Sequence, residues 1–102
     1  MKEFSSYSEF YSYYLKQHST YGCRLFHVVG SSLVLIDIIL SLVLSLWLLI
    51  LAPILGYGCA WIGHYVFERN RPATFGAPFW SFVSDWRMYG DVLTGRIKLR
   101  GP

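Results

Sequence analysis

Three histidines, His18, His27 and His64, are the residues of this chain best suited to chemistry. Neutral imidazole is the commonest metal ligand, and three suffice for an open catalytic centre that keeps a position for water or substrate. His64 stands near the end of a strongly apolar stretch. Glu68 follows four residues later, so on a helix the two share one face. The basic, proline-stopped segment Arg69-Asn70-Arg71-Pro72 comes next. An ionisable pair at the edge of an apolar segment is costly. It is explained either by snorkelling to the headgroup layer or by a metal or catalytic site at the membrane surface.

Two carboxylates are close enough in the chain to matter. Glu68 is read as a ligand, as an orienter of an imidazole, or as a salt-bridge partner of Arg69 or Arg71. Asp85 is read as a hydrogen-bonded interfacial residue in preference to a ligand. Cys23 and His27 are spaced i, i+4 and would make a ligand pair, although cysteine in such a run more often packs as a small apolar group. Cys23 and Cys59 are the only cysteines, with no CxxC, and read as free thiols in a reducing compartment. There is neither a nucleophile elbow nor a glycine-rich phosphate loop.

The elements must then bring the histidines together. His18 and His27 are nine residues apart. On one continuous helix that places them on opposite faces, with ~13 Å of rise between them. A break at Tyr21-Gly22, with Gly22 as a helix stop, folds the first helix back over the start of the next. His27 and His64 are equidistant from residues 45–46, so an antiparallel pair of helices turning there sets them at one depth.

Span lengths lead to the same turn. Between Arg24 and Glu68 the only charged residue is Asp37, and the apolar run Leu25–Phe67 holds 43 residues. As helix it would be ~65 Å long, about twice the ~30 Å hydrocarbon core. Two spans, 24–42 and 46–68, with a turn near Leu42–Leu46 around Ser41 and Ser45, use this length. Pro53 then falls inside the second helix. Gly56, Gly58, Cys59, Ala60 and Gly63 put small residues along that helix and favour close packing. Asp37 lies within the first span, where a charge is expensive; if it falls near the far end it reaches water.

Residues 4–18 carry apolar and aromatic groups at helical spacing, with a tyrosine-rich face and a Ser6…Glu9 capping-box pattern. Such a face suits the membrane interface, where a ring is buried while its hydroxyl stays wet. Residues 79–93 form a second helix of this kind, with Phe79, Trp80, Phe82 and Trp86 on its apolar face. Residues 96–102 read as a loose basic tail.

The fold class expected is therefore an all-α integral membrane protein, one domain over residues 1–102: a two-span transmembrane helical hairpin flanked by two amphipathic interfacial helices. Composition agrees, at 54% hydrophobic, 19% aromatic and 15% charged, which is too apolar for an ordinary soluble domain. The apolar segment is too long, and begins too late, for a signal peptide. Lys2, Lys16 and Arg24 precede the run, and Arg69, Arg71, Arg87, Arg96, Lys98 and Arg100 follow it, with none between the spans. The positive-inside rule then puts both termini in the cytoplasm. The net charge of +3 suits an anionic leaflet and gives no nucleic-acid signature.

Residues 57–64 (through Gly63-His64), Glu68 to Phe75, Pro78 to Ser81 and Asp85 to Met88 resemble a small bacterial membrane family related to the fungal 2-hydroxy fatty acid dioxygenases. The likeness covers nearly the whole chain. His18 and His27 keep the fungal spacing, and Gly63-His64, Glu68 and Pro72-Ala73 match the fungal pattern. Cys23 stands where the fungal proteins carry Asn, and Gln17 where Tyr precedes the first histidine. The resemblance implies an iron(II)-dependent dioxygenase that shortens a 2-hydroxy fatty acid by one carbon. His18, His27 and His64 would be its metal ligands and Glu68 a catalytic carboxylate, with zinc as a purification substitute for Fe(II). The forked guanidinium of Arg69 or Arg71 would hold the lipid carboxylate while the tail lies along the spans. The partners implied are the bilayer, a fatty-acid-like lipid and dioxygen, with no nucleic acid and with a homo-oligomer left open. The competing reading is a non-enzymatic lipid-binding or scaffolding hairpin whose histidines only anchor.

Overall fold

A computed structural model describes residues 4–99. Lys2 and Arg100, counted in the charge asymmetry, and the end of the basic tail lie outside the described residues. The described residues form four α-helices and no strand: α1 Tyr7–Lys16, α2 Tyr21–Val43, α3 Leu51–Ile62 and α4 Pro78–Leu93. A 3-10 turn, Leu46–Ile50, leads into α3, and a π-helical turn, Gly63–Glu68, follows it.

α1 begins where Ser6 accepts a hydrogen bond from the Glu9 amide, 3.2 Å. The Glu9 carboxylate does not close the capping box; it takes the Ser5 hydroxyl instead, 2.6 Å. The break between α1 and α2 lies at Gln17–Thr20, earlier than expected. Thr20 caps α2 by accepting from the Cys23 amide, 3.2 Å. Gly22 is therefore no helix stop but part of the first turn of α2. A Cβ there would lie 2.2 Å from the Phe67 ring, so its lack of a side chain serves close approach.

α2 ends at Val43, and Ser45 caps the next turn. The chain thus reverses at Leu44–Ser45. Pro53 stands in the first turn of α3, where a missing amide N–H costs least. A Cβ on Gly30 would lie 2.8 Å from Cys59, one on Gly63 3.1 Å from Cys23, and one on Gly56 3.2 Å from Val34. These meetings run in opposite order along the two segments, so they pack antiparallel. Gly58 meets nothing and takes no part. Tyr21–Val43 and Leu46–Glu68 are each long and apolar enough to cross a membrane. Asp37 does not reach water: it is buried, and one carboxylate oxygen has no hydrogen-bond partner.

α1 and α4 build a separate aromatic core around Phe10, Tyr11, Tyr14 and Met88. The tyrosine face expected to lie wet at an interface is instead packed on α4. Each hydroxyl finds a polar side chain there: Tyr7 pairs with Ser84 at 2.9 Å, Tyr11 donates to Asp91 at 2.7 Å, and Tyr14 donates to Asp85. The Arg87 guanidinium covers the Tyr11 ring at 3.9 Å.

The helix packing makes a prediction. Gly30→Val forces α2 and α3 apart and should cost about 1–3 kcal/mol, read as a lower midpoint of thermal unfolding in detergent. Gly58→Ala, which meets nothing, should leave the midpoint unchanged or raised.

Candidate metal centre

Three elements each deliver an imidazole to one place. His18 follows the C-terminus of α1, His27 sits in the second turn of α2, and His64 is the second residue of the π-helical turn. π turns are rare and recur at functional sites. This one ends at Arg69, whose left-handed backbone (φ 59°) stops the helix, and the Asn70 amide then bonds back to the His64 carbonyl, 3.2 Å. The ring centroids lie 4.3 Å (His18–His64), 4.5 Å (His18–His27) and 5.1 Å (His27–His64) apart, with the rings nearly perpendicular. One donor atom from each of His18, Cys23, His27 and His64 lies within 4.8 Å of the others, and all four residues are buried.

Every Nδ1 of the trio faces an acceptor. His18 Nδ1 is 2.7 Å from the Tyr14 carbonyl, and His27 Nδ1 is 2.9 Å from the Cys23 carbonyl. His64 Nδ1 is 2.7 Å from Asn70 Oδ1. Asn70 cannot present its other end, because Nδ2 donates to both the carbonyl and the Oε1 of Gln17, each at 3.0 Å. An oxygen that only accepts fixes the proton on Nδ1 and leaves Nε2 with a free lone pair. That is the tautomer a metal requires, held by the kind of outer partners that orient ligating histidines. Charge agrees: burial and the two neighbouring imidazoles push the His18 pKa well below its ordinary value, so the ring stays neutral. Three neutral nitrogens, with the Cys23 sulfur beside them, fit a divalent transition metal.

The carboxylates divide differently from expectation. Asp85 Oδ1 lies 4.0 Å from His27 Nε2 and accepts the Tyr14 hydroxyl. Burial raises its pKa to about 7, against the pull of the Tyr14 bond. Tyr14 also stacks on His18, ring centroids 3.8 Å apart, so one side chain touches both a histidine and Asp85. Glu68 sits outside the cluster. Its two oxygens accept the Thr20 amide at 2.5 Å and the Ser19 hydroxyl at 3.1 Å, at the start of α2. Among the described residues no ion pair joins it to Arg69 or Arg71. Both arginines are exposed, and the Arg71 guanidinium lies over Phe75 at 4.8 Å.

Sequence reasoning missed two residues that hold the trio. Asn70 was passed over inside its basic segment. Arg24, used only for orientation, is buried; it bonds the His18 carbonyl at 2.5 Å and the Lys98 carbonyl at 2.7 Å. A lone charge at the head of an apolar run was the signal for it. A cavity of about 330 Å³ opens at His27 and Asp85 and extends between α2 and α3; neither Arg69 nor Arg71 lines it.

Removing the Asn70 acceptor frees the His64 ring to turn and to change tautomer. Asn70→Ala should therefore weaken divalent-metal affinity by about 10–100-fold, measured by chelator competition, while helix content by circular dichroism is retained.

The family model for 2-hydroxy-palmitic acid dioxygenase Mpo1-like proteins matches residues 4–97. No curated protein and no solved structure matches the chain. The matched stretch holds all four helices, all three histidines and the residues that fix their protons. The chain belongs to the Mpo1-like family.

Proposed function

We propose that this protein is an iron(II)-dependent dioxygenase of the membrane that shortens a 2-hydroxy fatty acid by one carbon. The observation that carries the reading is the trio of buried imidazoles, each with Nδ1 engaged, one of which, His27, lines an apolar cavity. Iron(II), when held there, supplies dioxygen activation and a seat for the substrate's hydroxyl and carboxylate. The balance closes without a further reductant: the 2-hydroxy acid and one dioxygen give the shortened acid, carbon dioxide and water.

The chain's own groups do the rest. His18, His27 and His64 would hold the metal through the Nε2 atoms that their Nδ1 bonds leave free. Asp85, at the cavity mouth with its pKa near neutrality, accepts or returns a proton beside the substrate head. Tyr14 fixes that carboxylate while stacking on His18. Glu68 acts as a positioning residue: by tying Ser19 and Thr20 it holds the segment carrying His18 against α2. The aromatic core of α1 and α4 closes water off from the cluster. Arg69 and Arg71, outside the cavity, meet anionic headgroups.

The two apolar segments cross the bacterial inner membrane, with both termini cytoplasmic, because every lysine and arginine lies outside the stretch between the spans. Single cysteines introduced beside Ser8 and beside Thr94, in a background without Cys23 and Cys59, should be labelled from the cytoplasmic side. Labelling of either only from outside would overturn the topology.

For chemistry, iron-loaded protein with dioxygen and 2-hydroxyhexadecanoic acid should yield pentadecanoic acid. His18→Ala, His27→Ala and His64→Ala should each lose metal and turnover together. Plain hexadecanoic acid lacks the chelating hydroxyl and should turn over far more slowly. Equal rates for the two acids would contradict the mechanism, and retention of metal by all three variants would make the histidines mere anchors.

A further inference from the structure

The cavity beside His27 is longer than a metal centre needs. Its α2 wall is a single stripe, His27, Ser31, Val34 and Ile38, spaced four, three and four. α3 opposes it, from Ala60 through Gly56 to Ala52. Because the helices are antiparallel, the cavity runs from the histidines towards the Leu44–Ser45 turn. His27 and Asp85 stand at one end, and beyond Ser31 the α2 wall is wholly apolar.

Three dimensions follow. Along its length, the eleven steps from His27 to Ile38 rise about 16 Å. C–C bonds of about 1.5 Å in a zig-zag advance about 1.3 Å each, so about a dozen carbons fill it. Across its floor, the two helices touch midway: a Cβ on Gly56 would come 3.2 Å from Val34 Cγ2, so a chain lies along the groove over this contact and not between the helices. The groove's volume of about 330 Å³ holds one such chain, not two. On its open side, α4 contributes Phe82, Asp85 and Trp86 only near the histidine end. Two helices alone cannot enclose a tube, so the remainder faces outward between them, where lipid tails lie if α2 and α3 span the bilayer.

We propose that this groove seats the acyl chain of a single-chain amphiphile, polar end at His27 and Asp85 and methyl end at Ile38 and Ala52, and receives it sideways from the bilayer. The chemistry at the polar end rests on the dioxygenase reading; the seating of the chain does not. The groove admits straight chains of about a dozen carbons beyond the head and excludes double-chained lipids. Access from the side spares the chain any passage through water.

Photo-crosslinking tests this on the full chain in phosphatidylcholine nanodiscs. Two 2-hydroxyhexadecanoic acid probes are used, one with a diazirine near the carboxylate and one near the methyl end. The first should label Ala60, Phe82 or Trp86, and the second Ile38, Ala52 or Pro53. Excess unlabelled 2-hydroxyhexadecanoic acid should suppress both. Gly56→Leu, which plugs the groove midway, should abolish the distal labelling while metal per chain is unchanged; Val34→Phe does the same from the opposite wall if the first variant fails to fold. Labelling of outward-facing Ile36 and Ile39 as strong as that of groove residues, or labelling that resists competition, would mean bulk lipid only and would overturn the proposal. Turnover is not read. Intact groove labelling without turnover would fault the dioxygenase reading alone.

Discussion

Three imidazoles buried within one ring's width of each other coexist only if they are neutral and each N–H has an acceptor. A protonated ring here would repel its neighbours in a medium that screens poorly. An unpaired N–H would cost about 1–3 kcal/mol. The chain meets both conditions with three acceptors of different origin: the Tyr14 carbonyl one turn back in α1, the Cys23 carbonyl one turn back in α2, and the Asn70 side chain. Two of the three cost no extra residue, because a histidine at i+4 reaches the carbonyl of its own preceding turn. Only His64, in a π turn, needs a partner from elsewhere, and Asn70 is itself clamped to Gln17 at the end of α1.

The same demand shapes the elements around the site. α1 must stop before His18 so that its ring reaches α2. Arg24 then fastens the His18 carbonyl from α2, and Glu68 fastens Ser19 and Thr20 from the far end of the second apolar segment. Gly22 under Phe67 and Gly63 against Cys23 bring those two segment ends together where any Cβ would hold them apart. The molecule divides its work. The α2–α3 pair leaves its apolar flanks outward, with Ile39 61% and Ile54 62% exposed, while α1 and α4 bury an aromatic core that roofs the cluster.

Much of this was legible in the sequence, for physical reasons that differ by residue. The reversal at Leu44–Ser45 falls within the Leu42–Leu46 segment to which span length and the symmetry of His27 and His64 both pointed. Periodicity found both flanking helices, though not their mutual packing: a tyrosine-rich face looks the same whether its hydroxyls meet water or Ser84, Asp85 and Asp91. Spacing set Glu68 on the face of His64, but the π turn changes the register and takes the carboxylate to the α2 N-terminus. No periodic pattern reveals such a turn. Gly22 read as a stop because glycine signals termination and close approach alike, and only the partner, Phe67, separates the two. Asp37, buried with an unpartnered oxygen, has no explanation in either the sequence or the structure.

Charge accounting joins the metal centre to the groove. In the proposed site all three histidine ligands are neutral, Glu68 is spent on backbone and hydroxyl donors, and Asp85 is engaged by Tyr14. A divalent cation held by three neutral imidazoles would bring its charge into a buried setting, where an anion gains far more than it would in water. A carboxylate with an adjacent hydroxyl offers that anion in chelating form. The α2 wall beyond Ser31, Val34 and Ile38, offers only hydrocarbon. In the proposed function, cation and groove together would select a molecule with one short anionic end and one long apolar end, and would fix its direction. Under the proposed function, the carbon bearing the hydroxyl would arrive at the histidines, because they and Asp85 form the polar end of the groove.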